Sequence, residues 1–221
     1  MTAVQTLLLP VGDDFYDRNF GPASDQGNLY EGFYHPEDQS LGDFALHPDE
    51  LDLKDEVSEG RTREDVLAFA AAVRDTPDTG FAAAIGAHMN LDRYITELAI
   101  DTFLGYWDSC AYFDNNYYLY HHPTEGFIYL PHGMDQLGYN RLGSPMSLFA
   151  NRIRDIAVLD AQLDAELARI QAGWDPAVFH ARIDQVVQIL ETAPSDARID
   201  QDRAEFDSRV DQVKDAITAL Q

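Results

Sequence analysis

The chain has 221 residues and a mass of 24.8 kDa, room for one domain of ordinary size or two small ones. Hydrophobic residues at 45% and aromatic residues at 11% exclude wholesale disorder. A lone Cys110 excludes an internal disulfide framework and any Cys-based zinc site. Fifteen basic residues against 39 acidic ones leave a net charge of −24. Such a surface repels a phosphate backbone and an anionic lipid face, so neither nucleic acid nor membrane is an expected partner. Two readings of the acidity stand: a solvated, salt-tolerant surface rich in Asp, or divalent-cation binding at particular Asp clusters.

No apolar run approaches the roughly 20 residues of a membrane span, and no basic-then-apolar stretch opens the chain as a secretion signal does. Residues 1–60 read as short strands separated by turns. Residues 5–11 form an apolar strand, and residues 28–33 a second that carries the aromatics Tyr30 and Phe33. Residues 51–54 alternate apolar and charged side chains as a third strand would. Residues 61–105 are helical. Thr62 caps a run that puts Val66, Leu67, Phe69, Ala70 and Val73 on one face. Asn90 precedes a second amphipathic helix, residues 91–106, whose stripe holds Leu91, Tyr94, Ile95, Leu98, Ile100 and Phe103.

Residues 117–120 and 127–130 read as aromatic strands joined by the turn HHPTEG. From Ser147 the chain is helical to its end, with Asp175 capping a helix that opens on Pro176, and with Val210, Val213, Ile217 and Leu220 at helical spacing.

The chemistry concentrates between residues 105 and 140. A loop bearing Asp108, Asp114, Asn115 and Asn116 leads into the hairpin, and a Gly-flanked Asp135 follows it. A hairpin returns the chain to the end at which it started, so Asp108, Asn116 and Asp135 converge in space. Hard oxygen ligands of this kind suit Mg²⁺ or Mn²⁺ and a substrate phosphate. The order Asp, Asn, hairpin, Asp has the logic of a protein-kinase site. Other features carry less. Adjacent His121 and His122 point to opposite faces of a strand, Cys110 has no base near it in sequence, and Trp107, Tyr112, Tyr117 and Tyr118 read as core.

These segments resemble the CotH spore-coat family of atypical protein kinases. The match lies in VGDDFYDRNFG with DQGNLYEG, in NNYYLY, and in LPHGMDQ, where His132 stands for a usual Trp. The resemblance implies an α+β, atypical kinase-like fold with a small partial N-terminal sheet, a catalytic hairpin and a helical C-terminal lobe. It divides the chain into a remnant of the nucleotide-binding lobe (1–60), a catalytic core (61–145) and a helical region of the same domain (146–221).

By position, Asp108 matches the catalytic Asp, Asp135 a metal-binding Asp, and Asn116, or its neighbour Asn115, the second metal ligand. Asp114 is the alternative to Asp108. The implied cofactor is Mg or Mn with ATP, and the implied partner is a protein bearing Ser or Thr, at a surface, coat or extracellular location. By this resemblance the chain is expected to begin inside the lobe that grips ATP, with Lys54 the remaining candidate for its phosphate-binding cation. A truncated kinase of low activity is therefore one expectation and an inactive kinase-like binding module another. A hydrolase using Asp108 with Asp135 or Asp114 is a third.

Overall fold

The structure is a computed structural model. It describes residues 13–21, 27–54, 62–134, 137–138, 142–191 and 197–220. The strand expected at residues 5–11 and the ligand candidate Asp135 lie outside the described residues. Two compact units emerge, one over residues 10–170 and the other from residue 171 onward.

The first unit is α+β. Four antiparallel strands form one sheet in the order β2-β1-β3-β4: β1 Leu29–Gly32, β2 Asp52–Leu53, β3 Tyr117–His122 and β4 Gly126–Pro131. Tyr30 pairs with Leu119 and Tyr120 with Ile128, so the early strand joins the hairpin directly. Alternation then sorts the side chains. Tyr30, Tyr117, Leu119, Phe127 and Tyr129 enter the main core, while Leu29, Tyr120 and Ile128 meet Tyr16 on the opposite face.

That opposite face is covered by α1 (Asp13–Phe20), whose Tyr16 ring stacks on Tyr120 with centroids 4.2 Å apart. A helix stands here in place of the expected strands and turns. In DDFYDRNF the apolar face is only Phe15, Tyr16 and Phe20, too short a run to stand out as a helix among the surrounding turn residues.

Helices α2 (Glu64–Asp75), α3 (Asp78–Gly86), α4 (Leu91–Phe103) and α6 (Leu148–Asp155) contribute side chains to the main core. Phe69 sits at its centre, its ring 5.0 Å from both Phe44 and Phe127 and edge-on to Phe149 at 5.7 Å. Such ring pairs add to the burial of large apolar area. Helix α2 buries Val66, Phe69, Ala70 and Val73 but leaves Leu67 exposed, since it lies about 100° round the helix from Val66. Nor does Thr62 cap this helix. Arg63 occupies the cap position without a side-chain bond, and the first turn is served by Asp65, which accepts from the Val66 amide at 2.7 Å.

Asn90 does cap α4, accepting from the Arg93 amide at 3.0 Å. The helix stops at Phe103, before the expected residue 106, because Gly105 takes a left-handed φ of 61°. Its buried stripe contains Asp101, while Ile100 is half-buried.

Helix α7 (Ala157–Gly173) begins in the first unit. In the second, α8 (Pro176–Glu191) and α9 (Ala197–Ala219) pair as antiparallel neighbours: the Trp174 indole before α8 donates to the Ile217 carbonyl near the end of α9 at 3.2 Å. Asp175 caps α8 as expected, accepting from the Ala177 amide at 3.0 Å. Val210 and Ile217 on α9, and Leu220 just after it, are half-buried, whereas Val213 is exposed. No helix among the described residues is long and apolar enough to cross a membrane.

Candidate functional site

After Gly105 the chain turns through buried Tyr106 and half-buried Trp107 to Asp108. Ser109 then opens a single helical turn, α5 (Cys110–Phe113). Asp114 follows with φ 51° and Asn116 with φ 54°. Asn and Asp tolerate this left-handed region better than other side chains do. The paired left-handed residues fold the loop back on its own start.

The result brings together residues eight apart. Asn116 Nδ2 donates to Asp108 Oδ2 at 2.7 Å and to the Asp108 carbonyl at 3.0 Å. Asn115 Nδ2 donates to Asp108 Oδ1 at 3.0 Å. The loop therefore joins Asp108 to Asn116 across eight residues, because α5 takes up those between them. Both carboxylate oxygens of Asp108 are oriented by amides, and each keeps a lone pair for a further donor.

The returning strand completes the floor. His132 donates its amide to the Asn116 carbonyl at 3.0 Å, one step beyond the Tyr117–Pro131 pair. Gly133, with φ 63°, lies against the Asn116 side chain so closely that a Cβ there would stand 2.9 Å from Asn116 Cγ and Oδ1. The Tyr106 hydroxyl donates to the His132 carbonyl, fixing the strand exit over the turn. Asp135 comes two residues after this contact, outside the described residues.

Asp108 and Asp114 separate clearly. Asp114 is buried, one of its oxygens is unpartnered, and burial, reinforced by Asp43, pushes its carboxyl up to about 8. At neutral pH it holds a proton. Asp108 is half-buried and open to a ligand.

On the sheet beside this floor, Glu31, Lys54, Tyr118 and His132 cluster. Lys54 Nζ lies 2.6 Å from Glu31 Oε2 and 3.1 Å from Asp52 Oδ2, and these bonds, Glu31 foremost, hold the ammonium protonated. His132 stacks on Tyr118 with centroids 4.4 Å apart, and its Nε2 is 3.6 Å from Glu31 Oε1. Burial lowers the His132 pKa, so the ring is neutral at pH 7. The Lys54–Glu31 pairing depends on register between β1 and β2, which residue types alone do not reveal.

The remaining candidates fall into place structurally. His122 is buried against Phe20, while His121 faces the other way and pairs with Asp65 at 2.9 Å. Cys110 is buried and its thiol pushed well up by burial, which makes it a poor nucleophile. Tyr112 and Tyr117 are core. Among the described residues no three His, Cys, Asp or Glu side chains group as a metal site.

The profile of the CotH kinase protein family matches residues 10–142, more than half of the sequence. The chain belongs to the CotH kinase family. Among curated proteins none matches it. In this CotH chain the Asp108–Asn116 contact and the hairpin that brings Gly133 to Asn116 form one continuous floor. The oxygen donors suit the ATP-bound divalent cation that a kinase uses, since the Asn116 amide oxygen and a carboxylate are hard ligands.

Proposed function

We propose that this CotH domain is a protein kinase that uses Mg²⁺- or Mn²⁺-bound ATP to phosphorylate Ser or Thr of a surface or coat protein. The observation that carries this reading is the double amide grip on Asp108 at the open end of the hairpin. In the proposed reaction, Asp108 accepts a hydrogen bond from the acceptor hydroxyl, aligns it and takes its proton as the oxygen–phosphorus bond forms. The bond from the γ-phosphorus to the bridging oxygen breaks, and ADP leaves with that electron pair. Asn115 and Asn116 restrain the carboxylate, so positioning and charge neutralisation dominate the chemistry.

Asn116 Oδ1 and Asp135 would hold the divalent ion, which neutralises charge on the phosphates when bound. Burial that keeps Asp114 protonated favours Asp108 as the base. The test is transfer from γ-labelled ATP to a Ser-rich acceptor. Wild type and Asp114→Asn should transfer phosphate, and Asp108→Ala should fall by a factor on the order of 10² or more. Undiminished transfer by Asp108→Ala would overturn the assignment. Nucleotide binding without transfer by wild type would indicate a binding module.

A further inference from the structure

Asp101 is a carboxylate in the buried stripe of α4. It is 3% exposed, and its neighbours Leu98 and Ala99 are buried as well. Its Oδ2 accepts from the Tyr129 hydroxyl of β4 at 3.2 Å, and its backbone carbonyl accepts from the Tyr106 amide at 2.9 Å. Ser109 stands on the other side. Its hydroxyl is fully buried, has no partner at ordinary hydrogen-bond geometry, and interacts favourably with the ionised Asp101 carboxyl.

A buried carboxyl is costly unless its neighbours compensate. The groups that face this one are neutral or acidic: Glu97 and Tyr94 on α4 itself, Tyr106 from the turn, Ser109, Cys110 and Tyr112 around α5, and Tyr129 on β4. No cation offsets it among them. What the site does have is two hydroxyls, one on the strand beneath the floor and one on the residue next to Asp108.

We propose that Asp101 is a positioning residue for Asp108: its carboxyl ties residues 105–109 to β4 through Ser109 and Tyr129, and so fixes the aim of the adjacent carboxylate. This inference rests on Asp108 being the base. Ionised, Asp101 accepts from the Tyr129 hydroxyl and keeps acceptor capacity for the buried Ser109 hydroxyl beside it. Protonated, it gives up acceptor capacity and one tie loosens. Burial raises the Asp101 pKa to about 7, so both forms occur near neutrality.

The experiment measures phosphate transfer by the full chain between pH 5.5 and 8.5, together with amide hydrogen exchange over residues 105–116. The proteins are wild type, Asp101→Asn, Tyr129→Phe and Asp108→Ala. Wild-type kcat should rise about tenfold per pH unit below 7 and level off above it, while KM for ATP moves less than about twofold. Asp101→Asn should lose that limb, run at least about tenfold slower at pH 8, and exchange faster at residues 105–109. Tyr129→Phe, which deletes one oxygen, should show a partial loss and carries the test if Asp101→Asn does not fold.

A wild-type rate and profile in Asp101→Asn, with Asp108→Ala inactive, would overturn the positioning role and leave the phosphotransfer reading intact. Transfer by Asp108→Ala, or none by wild type, would overturn the phosphotransfer reading instead. Exchange at 105–109 then decides alone: if Asp101→Asn or Tyr129→Phe leaves it unchanged, Asp101 does not hold the turn.

Discussion

Asn116 grips Asp108 at two points, its side-chain nitrogen reaching Oδ2 at 2.7 Å and the carbonyl at 3.0 Å. A single side chain thereby sets both where the carboxylate sits and which way it faces. Gly133 sets Asn116 in turn. A Cβ at Gly133 would crowd the amide at 2.9 Å, and the φ of 63° would add about 1–2 kcal/mol of strain. Gly133→Ala is therefore expected to reduce kcat for phosphate transfer about a hundredfold with a melting temperature lowered by only a few degrees. Full activity in the variant would show that Asn116 is not held from this side.

Divalent cation binding provides a second test. A ligand that binds only the folded state stabilises it by about 2.7 kcal/mol at a hundredfold excess over Kd. Mg²⁺ or Mn²⁺ should raise the melting temperature of wild type, and Asp135→Ala should remove the rise. An equal rise in the variant would assign the effect to the general acidity of the surface.

Asp65 joins helix to sheet, and its titration should be visible in stability. It accepts from Tyr30 at 2.6 Å, Asn28 at 2.9 Å and the Val66 amide at 2.7 Å, and pairs with His121 at 2.9 Å. Burial pushes its carboxyl upward, but these bonds, His121 foremost, outweigh that and hold it below its ordinary value. A depressed acid stabilises the fold above its unfolded pKa, near 3.9, and loses that contribution as pH falls through the lower folded value. The urea midpoint should thus drop from about pH 5 downward, and Asp65→Asn should flatten this part of the curve. An identical acid limb in the variant would place the effect elsewhere.

The charge of −24 makes a fourth prediction. At about 0.1 M salt the screening length is near 10 Å, so further salt continues to weaken repulsion between neighbouring carboxylates. The melting temperature should climb from low salt into the molar range of NaCl. No change across that range would remove self-repulsion as a determinant of stability.

Alternation of large apolar side chains made the hairpin readable, since Tyr117 and Leu119, and Phe127 and Tyr129, recur at the period of a half-buried strand. Asn90 and Asp175 announced their helices because a cap is local chemistry. Convergence of Asp108 with Asn116 followed from topology, yet the sequence spacing looked too long. CAYF carries no sign that it will make one helical turn and shorten the distance. Asp101 escaped notice for a different reason. A carboxylate interrupts an apolar stripe, and the hydroxyl that bonds it belongs to Tyr129, remote in the chain. Thr62 and Arg63 show the converse: a favourable cap residue one place too early has nothing to cap.

The pairing of Tyr30 with Leu119 also imposes an order of events on the ribosome. The partner strand is made about ninety residues later, which at 5–20 residues per second is a delay of roughly 5–20 s. Until then β1 can pair only with the two-residue β2, so its other edge stays open, and long-range closure of this kind is slow even in a complete chain. The Asp108 turn and the hairpin contain their own contacts and need no such wait. Nascent chains should therefore carry the β1–β2 pair, with Glu31 and Lys54, unjoined to the Asp108 floor until β3 closes the sheet, leaving an open strand edge as the species that chaperones meet.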